Sequence, residues 1–189
     1  AFLIPAFAQA APAARAGKSW QIGKIPAWVV NPPAPTADIP AAPNAGARRE
    51  QWVDIQSNYA LARPQVFIRI RSAVLDASAL GQVSQPQVSF NPAFQSAVIH
   101  SAAVIRQGKR SDRLAQARIE LMRREQQLEQ QVIDGNETLL IVLKDVQVGD
   151  TVEVAYSVEG ANPIFEGRIS SAMPLAYDRP IDLLHQRLI

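Results

Sequence analysis

From Glu50 onward, apolar and polar residues alternate in short runs. Trp52-Val53-Asp54-Ile55 opens the series, and Val66-Phe67-Ile68-Arg69-Ile70-Arg71 alternates with its charges on one side. A period of two is the mark of a half-buried strand. Gln87-Val88-Ser89-Phe90 is a further short run, stopped by Asn91-Pro92. Ala97–His100 and Ala103–Arg106 continue the pattern until Gln107-Gly108-Lys109 predicts a turn. Leu139–Leu143 is continuously apolar, as a buried central strand would be, and Gln147–Asp150 then turns the chain. Thr151–Val158 alternates again and ends at Gly160, Asn162 and Pro163. Seven or more such strands predict a mainly β, antiparallel β-sandwich-like fold. The final run, Pro180–Ile189, reads as a strand cut off in mid-course, so the sandwich is expected to be incomplete at that end.

Residues 111–132 are the ambiguous segment. Leu114, Ala117, Leu121, Leu128 and Val132 fit helical spacing, and Glu, Gln, Arg and Leu favour helix. Yet Ile119, Leu121 and Arg123 also alternate, and no clean capping box precedes them. Taken alone the segment reads as a helix, while strands on both sides can draw part of it into a sheet.

The first fifty positions differ in character. AFLIPAFAQA (residues 1–10) reads as the remnant of a secretory signal, with Phe2, Leu3, Ile4 and Phe7 apolar and Ala8-Gln9-Ala10 fitting a small-x-small cleavage pattern. Residues 11–50 are rich in Ala and Pro, with Pro12, Pro26, Pro32, Pro33, Pro35, Pro40 and Pro43 breaking any helix. This stretch is expected to be extended, with one island, Ile25–Val30 around Trp28, pinned onto the main domain as a short strand or clamp. Residues 51–189 then form the β-sandwich-like domain. No later segment approaches the roughly 20 apolar residues of a membrane helix, so no membrane span is expected.

Charge and composition narrow the function. The formal net charge is +2, and the basic residues are interleaved with acids, which argues against nucleic-acid binding. The absence of cysteine removes disulfides, thiolate metal sites and a thiol nucleophile from this chain. His100 and His185 have no neighbouring ligand at metal-binding spacing and read as structural or surface residues. Glu120, Glu125 and Glu129 share a stretch with Arg118, Arg123 and Arg124, which reads as an ion-paired solvated face. Asp145 and Asp150 bracket a Val-Gly turn and supply too few oxygens for a calcium loop. Asn91-Pro92 and Asn162-Pro163 are turn chemistry. Ser101, Ser111 and Ser157 lack a local base or elbow motif. Trp28, Trp52, Tyr59, Phe67 and Phe94 are spread as core and clamp residues rather than as a stacking platform. No catalytic residue, metal ligand or cofactor is expected.

Six stretches in order carry a resemblance: Pro26-Ala27-Trp28-Val29; Phe90–Gln95 with Ile99-His100; Arg106–Lys109; Arg124-Glu125 and Leu128-Glu129 before Asp134-Gly135; Asp145–Val152; and Gly160–Phe165. Together they resemble a bacterial domain of unknown function that sits just before transglutaminase-like domains. The resemblance implies an exported protein of the periplasm or cell envelope. It also implies, as partner, a downstream papain-like domain of the same polypeptide with a Cys-His-Asp triad, acting on a protein or peptide substrate. With no Cys here, none of that triad can be carried over. The expected role is a non-catalytic accessory module that positions substrate or the catalytic domain; the alternative is a stand-alone envelope binding module.

Overall fold

The computed structural model describes residues 19–32, 46–123, 135–168, 177 and 181–189. The signal-like segment, most of the Ala/Pro-rich stretch and residues 124–134 lie outside them. Among the described residues there are ten strands: β1 (Trp20–Ile22), β2 (Arg48–Asn58), β3 (Gln65–Val74), β4 (Gln87–Phe90), β5 (Ser96–Arg106), β6 (Lys109–Asp112), β7 (Arg118–Arg123), β8 (Glu137–Val142), β9 (Thr151–Glu159) and β10 (Leu184–Leu188). One short helix, α1 (Leu80–Val83), connects β3 to β4.

The strands form two sheets. The larger runs β1-β5-β9-β3-β2-β10, with β6 also paired to β5; the smaller is β4-β8-β7. The chain is therefore mainly β. The inner faces meet in one core, where Val88, Phe90, Ala97, Ile99, Leu139 and Ile141 are 2% exposed or less. Burying each large aliphatic or aromatic side chain of this kind stabilises the fold by roughly 1.5–3 kcal/mol.

The alternating segments form strands because each can put one face on that core. Val152 and Val154 of β9 point inward, while Glu153 and Ser157 lie on the opposite face with Arg71 and Phe67 of β3 beside them. Ala97–His100 and Ala103–Arg106 belong to one strand, β5, bent by a register shift between Ile99 and Ser101 that leaves His100 unopposed. Gln107 and Gly108, at φ 50° and 76°, make the tight turn from β5 to β6.

Two expectations change. The large sheet is mixed, because both outermost strands add in parallel: β1 to β5, and β10 to β2. The helical reading of 111–132 gives way over its described part. Residues 111–112 end β6, Leu114–Gln116 make one 3-10 turn, and Arg118–Arg123 pair in full register with β8. The Ile119/Leu121 alternation prevails because β8 offers a ready edge, which outweighs weak local propensity.

Candidate functional site

The outer face of the large sheet gathers most of the polar candidates. Strand register sets them in rows: Trp52 beside Arg71 and Glu153; Asp54 beside Arg69; Gln56 beside Phe67 and Ser157. The Arg69 guanidinium lies 5.1 Å from the Trp52 ring centroid and 5.3 Å from that of Phe67. Arg71 covers Trp52 at 5.1 Å and donates to Glu153 at 2.5 Å. Burial works against the Glu153 charge, but Arg71 and Arg110 outweigh it and hold its carboxyl below the usual range.

Residues 23–32 cross this face as a strap. Trp28 Nε1 donates to Gln65 Oε1 at 2.8 Å, and Arg187 donates to the Trp28 carbonyl at 2.8 Å. Gln56, fully buried, accepts from Val30 N at 3.0 Å and donates to Val30 O at 2.7 Å. Arg69 donates to Asn31 Oδ1 at 3.2 Å.

Both histidines are held in this layer. His100 Nδ1 lies 3.0 Å from the Gly23 carbonyl, which can only accept, so Nδ1 carries the hydrogen. In the neutral ring Nε2 then accepts from the Ser157 hydroxyl at 2.7 Å. Burial lowers the His100 pKa, opposed by the bond to Gly23 and by the charge of Glu159. Sequence spacing gave Ser157 no base; the fold supplies His100 from 57 residues away. Ser157 is fully buried, so the pair ties strap to sheet. His185 Nδ1 lies 2.7 Å from Asp54 Oδ1, and Asp54 is also fully buried, with Gln56 Nε2 donating to both of its carboxylate oxygens. That contact joins β10 to β2.

The remaining sequence candidates serve turns and surface. Asp150 accepts from the Gln147 amide and from Arg106, both at 2.8 Å, and Arg106 holds its carboxyl below the usual range. Asn91 and Asn162 accept from the amides two residues on. Glu120 pairs with Arg118 on the surface, and Glu125, Glu129 and Arg124 lie outside the described residues. Among the described residues no three His, Asp or Glu side chains converge as metal ligands, and no helix is long and apolar enough to cross a membrane.

One concave feature among the described residues was missed by sequence reasoning. At the open mouth between the sheets, a cleft of about 380 Å³ lies between α1–β4 and the inner face of β2, β3 and β9. Its polar wall holds Arg48, Glu50, Ser72 and the amides Gln82, Gln85 and Gln87; Ile70, Val83, Pro86, Val152 and Val154 supply aliphatic wall. Glu50, only 5% exposed, is paired with Arg48 at 2.8 Å and accepts from the Ser72 hydroxyl. A register shift between Glu50 and Trp52 turns Glu50 inward, against the alternation that its position would suggest. The one signal was the charged run Arg48-Arg49-Glu50 just ahead of an apolar strand.

A second surface lies at the end of the sheet where β2, β9 and β10 all finish. Ile164 and Phe165, in the 3-10 turn after β9, are 80% and 54% exposed, and Leu188 of β10 is 59% exposed. β9 and β10 are three strand spacings apart, roughly 15 Å.

Comparison with known proteins bears on these features. The model of a family described as a domain of unknown function with a solved structure, DUF3857, matches residues 63–189. No curated protein sequence matches. Among solved structures, "a putative protease from Parabacteroides distasonis" aligns with a TM-score of 0.52 and 14% identity, over 61% of this chain. The aligned part is only 23% of that chain. A CBM3a-L domain from a cellulosome scaffoldin of Clostridium thermocellum aligns at a TM-score of 0.36 and 9% identity, covering 61% of this chain and 69% of that one, and so low a score supports nothing further.

Proposed function

Because the chain belongs to the DUF3857 family, we propose that it is the non-catalytic accessory module of an exported, transglutaminase-like protein, positioning the catalytic domain or its substrate. The observation that carries this reading is the exposed apolar end formed by Ile164, Phe165 and Leu188. Large apolar side chains exposed at one end of a small domain favour burial against a second body. The Parabacteroides protein supports the modular part of the reading, since the shared fold makes up 23% of that longer chain. The cysteine-free sequence supports the non-catalytic part, because a papain-like triad would have to come from elsewhere. The titratable groups of the outer face support it too: His100, Asp54 and His185 are bonded to the strap and to neighbouring strands.

The test uses the complete product of the gene and a pair of substitutions, Ile164→Ser and Phe165→Ser. Both side chains are solvent-facing in this domain, so the stability of the 189-residue chain should stay within about 0.5 kcal/mol. In the complete product the pair should lower the unfolding temperature and reduce thiol-dependent amide hydrolysis or amine transfer. An intact melting curve and undiminished activity would remove this end as the docking surface. A complete product with no reactive thiol would leave the stand-alone binding module as the better account.

A further inference from the structure

The cleft beside α1 adjoins a sheet edge that has no partner strand among the described residues. β4 is the outermost strand of the small sheet, bonded on one side to β8. Ile141 N donates to Pro86 O at 3.0 Å, which fixes the phase of the ladder. Pro86 and Val88 therefore face β8, while the backbone N–H and C=O groups of Gln87 and Ser89 point away from it. No backbone partner for those groups occurs among the described residues, and both residues are exposed. Gln87 also lines the cleft.

The lining limits what can bind. Arg48 and Glu50 neutralise each other at 2.8 Å, so neither an anion nor a cation finds a free counter-charge there. Among the described residues no aromatic ring lines the cleft, so these residues give a sugar ring no stacking platform. What is present is aliphatic wall, carboxamides that both donate and accept, and an open strand edge. These are the parts of recognition by strand addition, in which main-chain bonds hold the ligand and a pocket takes an alternate side chain. A volume of about 380 Å³ is at the small end of ligand pockets.

We propose that this cleft and the free edge of β4 bind a neutral, extended peptide segment. Its backbone pairs with Gln87 and Ser89, and a small aliphatic side chain sits against Val83, Pro86 and Val152. This site belongs to the module itself and stands whether or not a catalytic domain accompanies it.

The test is an amide-shift titration of the whole isotope-labelled chain with the capped peptide Ac-Ala-Val-Ala-Ser-NH2. Saturable shifts are expected at Gln82–Ser89 and at Arg48–Glu50 and Ser72. The same peptide N-methylated at valine and at the following alanine, which removes one strand-edge donor whichever register it adopts, should bind at least tenfold more weakly. Gly81→Phe supplies a second arm. Gly81 lines the cleft and an added Cβ there meets nothing within 4 Å, so the substitution brings bulk to the cleft wall without a clash at its Cβ. This variant should keep the melting temperature and lose at least tenfold in peptide affinity. The proposal is overturned by absence of shifts at millimolar peptide, by equal binding of the methylated peptide, by a folded Gly81→Phe that binds unchanged, or by shifts at the same residues from an N-acetylglucosamine trimer in place of the peptide.

Discussion

At the scale of single residues, backbone geometry separates two glycines that sequence would treat alike. Gly160 ends β9 at φ 113°, and a Cβ there would stand 2.1 Å from the Phe94 carbonyl oxygen. Its amide also donates to Pro64 O at 2.8 Å, so the turn cannot move aside freely. Gly149 has φ 91° but open space around it. Gly160→Ala should therefore cost about 3 kcal/mol, through a forbidden φ and a backbone clash together. Gly149→Ala should cost about 1 kcal/mol, the ordinary penalty for a side chain at positive φ. Chemical denaturation of the two variants checks the difference, and equal losses would mean that the Gly160 turn yields. Glu50 shows the same dependence on local geometry. One extra residue in β2 moves a carboxylate from the outer face into the cleft, and no pattern of periods announces a bulge.

At the scale of elements, the strap is the segment whose role depends most on buried hydrogen bonds. Gln56 holds both the amide and the carbonyl of Val30 while donating to Asp54. Replacing Gln56 with Ala leaves the amide and carbonyl of Val30 without their side-chain partner and leaves buried Asp54 with His185 alone, at roughly 1–3 kcal/mol for the buried carboxylate and less for the Val30 groups that water reaches. The expected loss is about 2 kcal/mol, accompanied by faster hydrogen exchange at the amides of Val29 and Val30. Unchanged exchange there would show that Trp28 and Arg187 hold the strap without Gln56. The elements also differ in how far sequence revealed them. β2, β3, β4, β5, β8 and β9 were legible because each has one face on the core, which writes a period of two or a solid apolar run. β1 and β10 were illegible as parallel partners, since β1 is three residues long and its register follows from β5, far along the chain. β7 stayed ambiguous in the sequence because Glu, Gln, Arg and Leu favour helix only until a neighbouring strand edge competes. Of the cleft, sequence showed the apolar residues but not their meeting, since Arg48, Ser72, Gln82 and Val152 come from four separate parts of the chain.

At the scale of the whole molecule, the groups with perturbed pKa values titrate in three separate windows. His100 has a folded-state pKa below 6.5, set chiefly by burial. Above pH 6.5 both folded and unfolded chains carry it neutral, and its contribution is complete. As pH falls below 6.5 the unfolded chain takes up the proton first, so stability declines until the folded-state pKa is reached. Asp150 and Glu153 have folded-state values below 3.8 and 4.5, so their contribution is present above those values and is lost in more acid solution. Tyr156 runs the other way. Burial pushes its hydroxyl up to about 12 from 10.0, so the unfolded chain ionises first and stability falls as pH rises through that interval. The stability of the chain should thus be flat from about pH 7 to 10 and decline on both sides, with a shallow step before the steep acid limb. His100→Gln should erase the shallow step and keep the acid limb, while Tyr156→Phe should flatten the alkaline decline alone. Urea unfolding at closely spaced pH values reads all three. A shallow step that survives His100→Gln would assign it to another group.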